Sequence, residues 1–74
     1  MKKVFTLTVG CYEYMAIANS ITQDSEWQKI QLRYYSIESD GSINEIKYSC
    51  NETIKLEKIC RKWCQKNDLM LWSY

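Results

Sequence analysis

The chain reads as an α+β domain: an antiparallel sheet of about four strands, built from hairpins, with one C-terminal helix packed across it and a short terminal strand. Three observations predict this. Residues 3–9 and 27–37 alternate apolar and polar side chains, as half-buried strands do. Ser39-Asp40-Gly41-Ser42 is the clearest turn signal, because Asp and Gly both tolerate the positive φ that a hairpin loop requires. Residues 51–67 put Leu56, Ile59, Cys60, Trp63 and Cys64 on one helical stripe and Lys55, Lys58, Arg61, Lys62 and Lys66 opposite, with only Ile54 and Gln65 among the cations. One stripe needs a sheet to sit on, and the other belongs in water.

In the first strand Phe5, Leu7 and Val9 share a side and Thr6 and Thr8 take the other. Gly10 then permits a tight turn or bulge. In residues 12–21, Tyr12, Tyr14, Ala16 and Ala18 alternate with Glu13, Met15, Ile17 and Asn19. This is a strand pairing back on the first, although the Met and Ala content also suits a helix. Residues 22–26 are polar and supply a loop. The strand over 27–37 points Ile30, Leu32 and Tyr34 at the helix and Lys29, Gln31, Arg33 and Tyr35 away from it. Adjacent Tyr34 and Tyr35, followed by Ile37, suggest a bulge that reverses the phase. Residues 43–48 close the hairpin.

Ser49 and Glu52 have the spacing of a capping box, with Asn51 as a rival cap. Residues 53–66 continue without Gly or Pro, and Lys62 and Lys66 suit the negative end of the helix dipole. Asn67-Asp68 ends the helix. Residues 69–74, Leu-Met-Leu-Trp-Ser-Tyr, are apolar and must dock, either as an added strand in the same sheet or against another copy or a partner.

Seventy-four residues make one domain, 1–74, near the size at which a single core only just holds a fold. Ten aromatics exceed what so small an interior hides, so some belong at the surface. Trp63 reads as core, Tyr34 and Tyr48 as core rings with the hydroxyl at the rim, and Trp27 as either. The net charge is +1, but residues 52–67 carry five cations against two carboxylates, so the positive field is concentrated on the helix. Met1-Lys2-Lys3 before an apolar run and Cys11 has the outline of a lipoprotein signal. The run is too short and Thr6 and Thr8 interrupt it. No apolar run approaches a membrane span, and the expected location is the cytoplasm.

Cysteines 11, 50, 60 and 64 follow no zinc spacing, and there is no His to complete a mixed site. They are expected to be reduced and to pack as small hydrophobes, with no metal or other cofactor; a four-sulfur site would require the fold to bring all four together. Without His, a nucleophile triad cannot be assembled, and the two glycines form no phosphate loop. The expectation is therefore a non-enzymatic binding module.

The candidate binding residues are the helix cations Lys55, Lys58, Arg61, Lys62 and Lys66 together with Arg33, Tyr35, Tyr12, Trp72 and Tyr74, since Tyr, Trp and Arg dominate interface energy. The favoured function is a regulator or inhibitor that occupies a surface on a larger protein, of the kind phages and other mobile elements encode. The alternative is nucleic-acid binding through the helix cations or through Lys29, Gln31 and Arg33 on an exposed sheet. In layout alone, a hairpin-bearing sheet followed by a helix resembles the sheet-reading DNA-binding domains at the front of some phage integrases. An unpaired sheet edge and the apolar tail also suit a homodimer.

Overall fold

The computed structural model describes residues 2–20, 29–48 and 50–71. Strands β1 (Lys2–Val9), β2 (Tyr12–Ser20), β3 (Lys29–Ile37) and β4 (Ile43–Ile46) form an antiparallel meander in the order β1-β2-β3-β4. Helix α1 (Asn51–Lys66) crosses back over the sheet, and β5 (Met70–Leu71) joins β3 in parallel. The predicted α+β layout is the observed one, and residues 12–20 are strand.

Registers explain where the core lies. Phe5 pairs with Ala16 and Ala16 with Tyr34; Ala18 pairs with Leu32, and Tyr34 with Ile46. These residues occupy one face by the two-residue alternation of strands. Phe5, Ala16, Ala18, Ile30, Leu32 and Tyr34 are buried there under Leu56, Cys60 and Cys64 of α1. The alanines of β2 let the helix approach β1 and β2 closely. Trp63 is partly buried and meets Phe5 edge-on, with ring centroids 5.7 Å apart.

Four sequence expectations are corrected. No bulge reverses β3, because its pairing with β4 runs unbroken from Tyr34↔Ile46 to Ile37↔Ile43. Ile37 and Ile43 therefore lie on the face turned away from α1. The strand β4 stops at Ile46, so Tyr48 is 50% exposed, with its ring 5.7 Å from that of Tyr34 instead of in the core. The helix is capped at Cys50: the Thr53 hydroxyl donates to the Cys50 carbonyl at 2.7 Å and accepts the Cys50 N–H at 3.4 Å. Ser49 of the expected box lies outside the described residues, as do the 22–26 loop and Trp27. Because that capping bond satisfies its hydroxyl, Thr53 is fully buried in the stripe, whereas Ile59, expected there, is exposed at its edge.

Asn67 and Asp68 end the helix, as expected. Leu69 N–H donates to the Cys64 carbonyl at 2.9 Å and Asp68 N–H to the Gln65 carbonyl at 3.5 Å, the paired closure of a Schellman motif. Asp68 holds the left-handed position at φ 55°, which suits glycine, and its carboxylate sits at the negative end of the helix dipole. Asp68→Gly is expected to raise the unfolding free energy by about 0.5–1 kcal/mol, measured by urea denaturation.

Candidate interaction surfaces

The helix lysines and the Arg33–Tyr35 pair fall on two opposite faces. The outer face of α1 carries Lys55, Lys58, Lys62 and Lys66, all exposed. At about 100° per residue they lie within an arc of roughly 80°, and they span about 16 Å of helix axis. No carboxylate falls in that arc. Ile54 (39% exposed) and Ile59 (42% exposed) bracket it on either side. The sequence reading missed Ile59 as a surface residue because its apolarity outweighed the arc in which it stands.

Arg61 belongs to a different group. Its Nη2 donates to Glu57 Oε1 at 2.7 Å, as the i, i+4 spacing foretells. Glu57 also accepts from the Tyr48 hydroxyl, which holds the Tyr48 phenol above its ordinary range. This tether turns Arg61 toward the β4 side, away from the lysines.

Arg33 and Tyr35 lie on the sheet face away from α1, as their alternation predicted. Four rows run across that face: Lys2–Asn19–Gln31, Val4–Ile17–Arg33, Thr6–Met15–Tyr35–Glu45, and Thr8–Glu13–Ile37–Ile43. Met15, Ile17, Tyr35 and Ile37 are half-buried, whereas Val4 and Ile43 are exposed. Among the described residues no element covers this face. Tyr12 stands apart, exposed at the β1–β2 turn. Trp72 and Tyr74 lie outside the described residues.

Strands β4 and β5 share one edge of β3, since Ile30 pairs with Ser20 of β2 on one side and Leu71 of β5 on the other. A cleft of about 810 Å³ is lined by residues of β3, β4, β5 and α1, among them Leu32, Ile46 and Leu71 and the polar Arg33, Lys47 and Glu57. In the β3–β4 turn, Ser42 donates to Asp40 Oδ1 from its hydroxyl at 2.7 Å and its N–H at 2.9 Å, which lowers the Asp40 carboxyl below its usual range.

The cysteines do not converge. Cys11 is exposed, Cys50 caps the helix, and Cys60 and Cys64 are buried with sulfurs 3.8 Å apart. Burial pushes the Cys60 thiol up to about 12, and the neighbouring Cys64 adds to it. In an unfolded chain that thiol ionises near 9. Its contribution to stability is therefore complete below that pH and declines as pH rises toward 12. Brief alkylation of native protein is expected to label Cys11 and spare Cys60 and Cys64, which react only on unfolding; peptide mass spectrometry reads the difference.

No helix among the described residues is long and apolar enough to cross a membrane. Comparison with protein-family models, with curated proteins and with solved structures finds no match to this chain.

Proposed function

We propose that this chain is a small binding module without catalysis of its own, a regulator or inhibitor that covers an acidic surface of a larger protein with the outer face of α1. One juxtaposition carries the reading: two isoleucines left in solvent, Ile54 and Ile59, bracket a lysine stripe free of carboxylates. A cationic stripe flanked by exposed apolar side chains offers a protein partner both charge and area to desolvate. Contact with phosphates uses the cations and has no need of the isoleucines. The lysines steer the encounter and set its orientation, while the isoleucines supply area to desolvate. The overall charge of +1 also suits a protein surface better than a phosphate backbone.

Nucleic-acid binding by the same lysines is the competing reading, and one pair of experiments separates the two. Tagged wild type, Ile59→Asp and Lys58→Glu/Lys62→Glu are used to capture partners from the native host, each variant first checked for helicity by circular dichroism. Random-sequence DNA and RNA are titrated in parallel at low salt. The expected result is one identified protein held by wild type and lost by both variants, with no nucleic-acid binding. Micromolar binding to nucleic acid, falling with a log-log salt slope of about 0.9 per phosphate contact and indifferent to Ile59→Asp, would replace this reading.

A further inference from the structure

The sheet face opposite α1 has a charge pattern that is complementary to itself. Lys2, Lys29 and Arg33 stand toward one end of it, and Glu13 and Glu45 toward the other. Lys2, Arg33, Glu13 and Glu45 are exposed, and among the described residues none of these four is in an ion pair. Between them lies the apolar band of Val4, Met15, Ile17, Tyr35, Ile37 and Ile43.

We infer that a second copy of this chain packs on this face, sheet against sheet, about a two-fold axis running across the strands between Met15 and Ile17. That operator lays the Thr6–Met15–Tyr35–Glu45 row over the partner copy's Val4–Ile17–Arg33 row. Met15 then meets Ile17, Tyr35 meets the Arg33 guanidinium, and Arg33 stands one strand spacing from Glu45. In the outer rows Lys2 comes beside Glu13. Each contact occurs twice by symmetry, and Lys2 and Arg33 each come near a carboxylate of the other copy.

The area fits a reversible pair. Four strands about 4.8 Å apart and four rows about 6.8 Å apart cover about 500 Å² in projection per copy. Side-chain relief brings the two-copy total close to the ~1,200 Å² at which specific interfaces begin. The outcome is a reversible, concentration-dependent dimer, with both helices outermost and the lysine stripes free. This pairing does not depend on what the helix binds.

Sedimentation velocity across low-micromolar to near-millimolar protein tests the pairing. Wild type is expected to shift from monomer to dimer, Arg33→Glu and Ile17→Lys each to weaken the dimer at least tenfold, and Arg33→Glu/Glu45→Arg to recover it. All four proteins should show the same circular dichroism. A wild type that stays monomeric throughout would overturn the proposal. So would a dimer indifferent to both single changes, or a charge exchange that fails to rescue.

Discussion

Replacing Leu56 with alanine is expected to lower the unfolding free energy by about 3 kcal/mol. Leu56 is fully buried at the centre of the helix–sheet contact and ranks among the largest side chains hidden from solvent, with Ile30. Its loss removes apolar burial and leaves a cavity in a core that has few other large residues. A domain of this length holds only about 4–11 kcal/mol in total, so this one change takes a substantial part of it. The midpoint of thermal unfolding should fall by about 12–24 °C. Ile59→Ala, three residues along the same helix, should change stability by less than about 0.5 kcal/mol because Ile59 faces water. Urea denaturation with unchanged slope measures both, and comparable losses in the two variants would place Ile59 in the core.

Reversing Lys58 and Lys62 to glutamate is expected to weaken binding of the captured protein by about thirty- to hundredfold, or about 2–3 kcal/mol. Both side chains are exposed, on an arc that contains no carboxylate to pair with them in the free protein. The fold should be indifferent to the change, and the loss should therefore appear in affinity and salt dependence with no change in the unfolding transition. Arg61→Glu is the internal control. Arg61 is held by Glu57, so its reversal should perturb the Tyr48–Glu57 contact more than the partner's affinity.

Strand alternation, the Asp-Gly turn and the helical stripe made the architecture legible, because each states a period that only one element type satisfies. The faces of Arg33 and Tyr35 and the exposure of Lys55, Lys58, Lys62 and Lys66 followed from the same periods. The errors arose where local chemistry outranks hydrophobicity. Thr53 is buried in the core with its hydroxyl satisfied by the Cys50 carbonyl, and Ile59, at the edge of the stripe, is exposed. Unbroken pairing with β4 carries Ile37 to the open face, a result set by the partner strand and invisible in β3 alone. The parallel seat of Met70–Leu71 on β3 was one of two docking modes the apolar tail allowed, and only the sheet's geometry selects it.

Lysine footprinting tests the binding face most directly. Reductive methylation of the protein, free and bound to the partner captured from its host, is read lysine by lysine by mass spectrometry. Binding through the outer helix face predicts protection of Lys55, Lys58, Lys62 and Lys66, with Lys2 and Lys3 modified equally in both states. Full reactivity of those four in the bound protein, with protection confined to the strands, would contradict it.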